Sequence, residues 1–386
     1  MDKAIIIFDR IFFIIMTASV AYLSVFALFS MWGVKKRYPI SPKKHRFLIL
    51  IPAYKEDKVI MDSVSSLLSQ DYPIDRYNVV VISDKMSEEI NSKLNQLPIN
   101  LLIVSPDESS KAYALNYAVK NIPDEKYDIV VILDADNIVE STFLSSINDA
   151  FYSGSTAIQA HRVAKNINTE MAVLDAISEE INNSIFRRGH INMGLSSALI
   201  GSGMAFDYRW FRKNSEKLKT SGEDKELEIL LLKEGIFIDF LEHVKVYDEK
   251  IQKEAVFYNQ RRRWLAAQFW SLITGIKDLP GAIMKNNIDY IDKVFQWALF
   301  PRIILIGFIT ISCVGTTLYD WTISIKWWLL FVLLIFTFAM AVPDYLVTKE
   351  NSRTIKRLPI LFILMFLNFF RMRGANKKFL HTEKGG

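Results

Sequence analysis

Residues 11–34, IFFIIMTASVAYLSVFALFSMWGV, carry no charged side chain. About 20 apolar residues in a helix are enough to cross a bilayer core. Such a run is therefore either a membrane helix or a secretion signal. It is longer than a signal core and no small-residue cleavage site follows, so a retained membrane helix is the expectation. The next segment, KKRYPISPKKHR at 35–46, holds six Lys/Arg and no acid. Basic residues collect on the cytoplasmic side of membrane helices, which puts the chain beyond residue 34 in the cytoplasm.

The chain returns to apolar sequence near its other end. Residues 294–319 are mostly apolar but interrupted by Pro301 and Arg302. Residues 327–343 form a cleaner span that opens on Trp327 and Trp328, residues suited to a membrane interface. Residues 358–370 are too short to span comfortably and read as an interfacial or re-entrant helix, with a fourth span as the alternative. Three spans place both basic flanks on one side. Arg302 then either snorkels or lines a polar path.

Charge distribution excludes one partner class. The whole chain is +5. The 35–46 block contributes +6 and residues 349–386 contribute +7, so everything else sums to −8. A net-acidic remainder removes the electrostatic footprint of a nucleic-acid binder. At 23% charged residues the chain has too little lipid-compatible sequence for a many-spanning transporter. A single cysteine, Cys313, excludes a disulfide scaffold and a cysteine zinc site. The histidines show no HxxxH or HExxH spacing, which argues against a histidine metal site.

Between the apolar ends, residues 35–275 read as an α/β domain. Phe47–Ala53, Asn78–Ile82, Asn100–Val104 and Asp128–Leu133 are short apolar runs of strand type. Val59, Ser63 and Leu67 give helical spacing, as do Leu174, Ile177, Ile181 and Ile185, and Ala112–Val119 reads as helix. Strands alternating with helices predict a mainly parallel sheet covered on both faces.

Such sheets bind ligands beyond the carboxyl ends of their strands. Three strands here end in polar groups: Tyr54-Lys55-Glu56, Ser83-Asp84 and Asp134-Ala135-Asp136. Two carboxylates at i and i+2 after a buried strand suit a hard divalent cation, Mg²⁺ or Mn²⁺, that also contacts phosphates. The same pair also suits a solvated turn. Neither GxxxxGK nor GxGxxG occurs, which argues against a Walker or dinucleotide site. Gly222-Glu223-Asp224 precedes a helical pattern, where acids favour the helix dipole and one carboxylate can act as a base. Gln260-Arg261-Arg262-Arg263-Trp264 puts three arginines in a row, and a helix cannot turn all of them one way.

Taken together these segments resemble the membrane-bound, inverting family-2 glycosyltransferases related to cellulose and hyaluronan synthases. The resemblance covers about residues 47–275 and the tail. IPAYKED at 51–57 resembles the first strand and its nucleotide loop, which implies donor contacts from Pro52, Ala53, Tyr54 and Glu56. VVISDKMSEE resembles the second strand, with Asp84 at the base and Ser83 where many relatives carry another aspartate. SKAYALN implies Lys111 near the diphosphate. VVILDADNIVE carries the metal-binding DxD, Asp134 and Asp136. GSGMAF resembles the acceptor loop and implicates Gly203. GEDKELE resembles the TED motif, with Gly222 where threonine is usual. It implies Asp224 as catalytic base beside Glu223. QRRRW matches QxxRW through Gln260, Arg263 and Trp264. KFLHTEKGG resembles a gating loop through Phe379, Thr382 and Lys384, with His381 where valine is usual.

The resemblance implies a GT-A-type α/β nucleotide-sugar-binding domain with N- and C-terminal transmembrane helices. The expected divisions are a membrane helix at 1–34, a cytoplasmic catalytic domain at 35–275, an interfacial segment with two spans at 276–348, and an interfacial helix with a basic tail at 349–386. It implies metal-assisted transfer, with inversion, from a nucleotide-diphosphate sugar, UDP-linked by preference. The acceptor is either a growing polysaccharide or a single lipid-linked or surface glycan. A non-catalytic assembly subunit is a lesser alternative. Mg²⁺ or Mn²⁺ is the implied cofactor. Membrane lipids are implied partners, and further subunits or a second copy would complete a channel.

Overall fold

The computed structural model describes residues 3–33, 38–123, 126–220, 222–252 and 254–370. The gating-loop residues Phe379, Thr382 and Lys384 lie outside these. A long helix α1 (Lys3–Ser30) opens the chain. An eight-stranded sheet follows, built from β1 (Phe47–Tyr54), β2 (Tyr77–Asp84), β3 (Asn100–Val104), β4 (Ile129–Ile132), β5 (Ile138–Val139), β6 (Ala157–Ala164), β7 (Met204–Asp207) and β8 (Ile238–Asp248). Its order is β3-β2-β1-β4-β7-β6-β8-β5. The β1, β2, β3 and β4 pairings are parallel, as is β6 with β8, while β7 and β5 run antiparallel to their neighbours.

The expected mainly parallel sheet is present, and its strands show why they were apolar throughout. Leu48, Leu50, Val80, Ile82, Val130 and Ile132 enter one core. Phe47, Ile49, Ile51, Val79, Val81 and Val131 enter a second core on the opposite face. Alternate residues of one strand thus face two separate interiors, so no polar position interrupts the run. Each such side chain contributes about 1.5–3 kcal/mol through burial.

Helices α2 (Ile60–Leu68), α3 (Glu88–Leu94), α4 (Lys111–Asn121) and α5 (Phe143–Tyr152) cover the sheet. Helix α6 (Glu170–Asn183) continues through a π-helical turn at Ser184–Gly189 into the short α7 (His190–Asn192). The expected stripe is packed, with Ile181 and Ile185 buried, but the buried face extends beyond it. Leu174 and Ile177 are only partly buried, whereas Asp175, Glu179 and Glu180 are buried. The interior side of α6 is acidic because arginines lie opposite it.

Beyond α8 (Tyr208–Ser215) and α9 (Glu223–Lys233), two helices lead toward the apolar end, α10 (Glu254–Met284) and α11 (Ile288–Ala298). Then come α12 (Arg302–Tyr319), α13 (Trp321–Ala341) and α14 (Leu358–Phe370). Among the described residues, α1, α12 and α13 are long and apolar enough to cross a membrane. Thirteen residues make α14 about 20 Å long, short of a roughly 30 Å core. Instead it packs on α12 at Gly307, where an added Cβ would lie 2.0 Å from the Phe362 ring.

Helix α1 joins this apolar bundle and also grips the α/β unit. Met16, Val20 and Leu23 share a core with Leu305, Ile309 and Leu334. Gly189 meets α1 so closely that a Cβ there would sit 2.2 Å from the Phe26 carbonyl oxygen. Tyr22 donates to Asp292 at 2.9 Å and meets His190 Nε2 at 3.0 Å.

Candidate active site

A cavity of about 430 Å³ runs from the carboxyl ends of the strands to the start of α12. Pro52, Ala53, Tyr54, Glu56, Asp84, Lys111, Asp134 and Asp136 line its strand end. Glu223, Asp224, Gln260, Arg263 and Trp264 also line it. Gly203 does not. It is held at φ +66° against Val246, whose Cγ2 would be 3.0 Å from an added Cβ. The cavity wall at this loop is Gly201 instead.

Local chain geometry delivers these groups. β1 and β2 each leave the sheet through a left-handed residue, Lys55 and Lys85. Non-glycine residues in this region carry strain of order 1–3 kcal/mol, a common price of positioning site residues. Ser110 caps α4 by accepting from the Tyr113 backbone at 3.1 Å, which fixes Lys111 as the first helical residue. Gly222 precedes α9 where an added Cβ would stand 3.0 Å from Ala267 Cβ. Close packing of α9 on α10 is therefore the reason glycine occupies a place where threonine is usual. It sets Glu223 and Asp224 in the first turn of α9, where the helix dipole favours acids.

Three carboxylates converge at the strand end. Asp134, Asp136 and Asp248 have ligand oxygens within 4.8 Å of one another. All are hard donors, the set expected for Mg²⁺ or Mn²⁺. Their orientation is fixed by neighbours. Asn137 donates to Asp136 and Asp248, both at 3.3 Å, and the Glu249 amide donates to Asp136 at 3.1 Å. The residues present fit a divalent cation. Asp248 is the member that sequence reasoning missed. Its only signal was the alternating run HVKVYD, a strand ending in an acid.

Lys111 ties this cluster to α9. Its Nζ donates to Asp134 at 2.5 Å and to the Gly201 carbonyl at 2.6 Å, and lies 3.5 Å from Glu223. Burial pulls the ammonium down, but Asp134 and Glu223 outweigh it and its pKa is raised overall. Burial pushes the Glu223 carboxyl up to about 7, Lys111 opposing and Asp224 adding to the rise. Asp84 is buried, and its Oδ1 has no hydrogen-bond partner among the described residues. A buried carboxylate oxygen in that state fits a donor brought by a ligand.

The other end of the cavity has the opposite character. The three arginines of α10 divide, as helical geometry requires. Arg261 points into a buried pair with Asp175 at 2.5 Å, Arg263 lines the cavity, and Arg262 does not. The Arg261 guanidinium lies 4.6 Å from the Phe257 ring centroid and 4.3 Å from that of Trp264. One face of Trp264 is thereby covered. Glu179 accepts from Arg162 at 2.8 Å and from Arg187 at 3.2 Å. Burial raises the Glu179 carboxyl, but Arg162, Lys250 and Arg187 outweigh it and hold it down at about 2. Arg302 donates twice to Ser178, at 3.0 Å each. Sequence reasoning found none of Asp175, Glu179, Arg162 or Arg187. Polar residues on helix and strand faces look solvent-exposed until their partners are known.

Known proteins similar to this chain include transferases. The fold is similar to a mannosyltransferase from Pyrobaculum calidifontis, solved with GDP-Man and Mn²⁺, at TM-score 0.51 and 15% identity over 84% of this chain and 97% of that one. The sequence is 22% identical to a probable glycosyltransferase, YdaM, of Bacillus subtilis, over 83% of this chain and 78% of the relative. It is also 22% identical to a Methanococcus voltae dolichyl N-acetyl-alpha-D-glucosaminyl phosphate 3-beta-D-2,3-diacetamido-2,3-dideoxy-beta-D-glucuronosyltransferase, over 48% of this chain and 61% of that relative. The fold is of GT-A type. Residues 45–267, more than half of the chain, match the model of the glycosyltransferase-like family 2, and the chain belongs to that family.

Proposed function

We propose that this protein transfers a sugar, with inversion, from a nucleotide-diphosphate donor at the strand end of the cavity to an acceptor held toward the membrane end. The observation that carries the reading is the meeting, in one cavity, of the Asp134–Asp136–Asp248 cluster with the Glu223–Asp224 pair. Asp84, with its unpartnered oxygen, accepts from the donor's base; the resemblance to the synthases favours a UDP-linked donor. Pro52, Ala53, Tyr54 and Glu56 surround the nucleoside, and Gly203 shapes the acceptor loop from behind Gly201. Asp134, Asp136 and Asp248 would hold Mg²⁺ or Mn²⁺, which when bound neutralises the leaving diphosphate. Lys111 and Arg263 add positive charge beside that group. Asp224 takes the proton of the attacking acceptor hydroxyl, and Glu223, whose carboxyl is pushed up by burial to about 7, carries less charge beside it than an ordinary glutamate. A single displacement at the anomeric carbon inverts its configuration.

Two acceptor classes follow from the sequence, a growing polysaccharide and a single lipid-linked or surface acceptor. One observation favours the lipid-linked class. The far wall of the cavity is formed by Phe300, Pro301 and Arg302 at the start of α12 and by Met365 on α14. The M. voltae relative is named for a dolichyl-linked substrate, which supports the same choice. The basic 35–46 flank supports a catalytic unit on the cytoplasmic side.

The test is nucleotide release by the purified full-length protein in detergent, across a panel of UDP- and GDP-sugars. Release from one donor is expected, abolished by EDTA and restored by Mn²⁺ or Mg²⁺. No release from any donor in the presence of membrane lipid extract overturns the transferase reading. Full activity in chelator removes the metal from it.

A further inference from the structure

Three cationic side chains, Arg187, Arg261 and Arg302, line the membrane side of the cavity, while Arg162 stands between its two ends, 2.8 Å from Glu179 and 3.9 Å from Asp248. Asp175 pairs with Arg261, while Glu179 serves both Arg162 and Arg187. Arg302 has no carboxylate partner among the described residues. Its contacts are the carbonyl and hydroxyl of Ser178, and its Nη1 is enclosed without any partner. Arg261 and Arg187 repel it, and Glu179 attracts it without pairing with it.

Two more enclosed donors line the same region. The Trp297 indole Nε1 and the Arg261 Nε have no partner, and both residues are buried, at 4% and 8% exposure. The unpartnered acceptor there is Gln260 Oε1, on an amide that can present its nitrogen by rotation. Excess enclosed guanidinium charge and orphaned donors are costly unless a ligand supplies acceptors and negative charge. A hydroxyl group would satisfy the donors but leave the charge.

We propose that the membrane end of the cavity binds the phosphate of a lipid-linked acceptor through Arg302, assisted by Arg261 and Trp297. This rests on the transferase reading given above and names its acceptor. A phosphate could also come from the donor, but the position argues for the lipid. Arg302 is the first residue of the apolar helix α12, and Phe300, Ile303 and Met365 line the cavity beside it. A phosphate there has its hydrocarbon chain directed along a membrane-ready surface. The donor's diphosphate belongs with the carboxylate cluster and Lys111 at the other end.

The experiment measures binding and needs no turnover. Full-length protein in detergent micelles is titrated with farnesyl phosphate, with farnesol, with inorganic phosphate, and separately with UDP or GDP plus Mn²⁺, following tryptophan fluorescence. Farnesyl phosphate is expected to saturate, with farnesol and inorganic phosphate each weaker by roughly tenfold or more. Arg302→Gln should weaken farnesyl phosphate roughly tenfold, Arg302→Lys should recover part of that loss, and nucleotide affinity should stay within about twofold. Trp297→Phe keeps the ring and removes the donor, and should weaken farnesyl phosphate severalfold even if the Arg302 variants fail to fold. Equal affinity for farnesol overturns the proposal, as does farnesyl phosphate binding that ignores both substitutions. Parallel loss of nucleotide and farnesyl phosphate in Arg302→Gln also overturns it, since the anion would then be the donor's. Failure of the transferase reading would show separately, as absent nucleotide release with lipid phosphate binding intact.

Discussion

The two ends of the cavity are built with opposite charge. At the strand end, Asp84, Asp134, Asp136, Asp248, Glu223 and Asp224 line the cavity, with Lys111 between Asp134 and Glu223. At the membrane end, Arg187, Arg261 and Arg302 gather near Asp175 and Glu179. Arg162 and Lys250 join the two, each reaching both Glu179 and Asp248.

Four substitutions probe that contrast. Asp224→Asn should have the largest effect, lowering turnover by about 10²–10⁴ while leaving nucleotide binding intact. Near-normal turnover would take the base assignment away from Asp224. Asp175→Asn strands the buried Arg261 guanidinium and should destabilise the protein by about 3–5 kcal/mol, read as thermal unfolding in detergent. An unchanged melting temperature would mean the basic end is already compensated.

Glu223→Gln should act in the other direction. Folding raises this carboxyl from its ordinary 4.5 to about 7, so the folded state holds the proton longer than the unfolded state. Stability from this group is complete below pH 4.5 and is lost as pH rises toward 7, by up to about 3 kcal/mol. The glutamine variant does not titrate, so its stability profile should be flatter over that window and higher than the parent above pH 7. A parallel profile would show that Glu223 stays charged. Removing an acid thus weakens one end and strengthens the other, which is the sharpest form of the comparison. Asp248→Asn should raise the Mn²⁺ concentration needed for half-maximal activity by at least about tenfold, the cost of losing even an outer metal partner. No change would reduce the cluster to Asp134 and Asp136.

The sequence made the acidic end far easier to read than the basic one. β1, β2 and β4 are sandwiched between two cores, so they stand out as unbroken apolar runs, and the acids that end them are conspicuous. β6 and β8 are not, because His161, Arg162, Glu242 and Lys245 break their pattern, and the register shifts between Ala160 and His161. Asp248 was hidden for the same reason: a β5–β8 pairing brings it beside Asp136 from far along the chain. On α6 the apolar stripe marked one packed face, with Ile181 and Ile185 buried, but not the acids buried beside it. Asp175 and Glu179 are buried only because α10 and β6 supply guanidinium groups, and no local pattern records a partner that distant. Gly203 shows the limit of motif position: the loop was correctly singled out, yet Gly201, two residues earlier, is the one at the cavity wall.

The fit between α1 and the π-helical turn has a consequence of its own. At Gly189 the backbone of Phe26 leaves no room for even a methyl group, and Phe26 stacks on His190 at 3.7 Å. The first helix is therefore not a tether from which an enzyme head swings. Exchanging it for an unrelated anchor would retain attachment but lose the surface on which the turn rests. Helix α1 is thus part of the folded body, and its sequence is constrained by packing as well as by hydropathy.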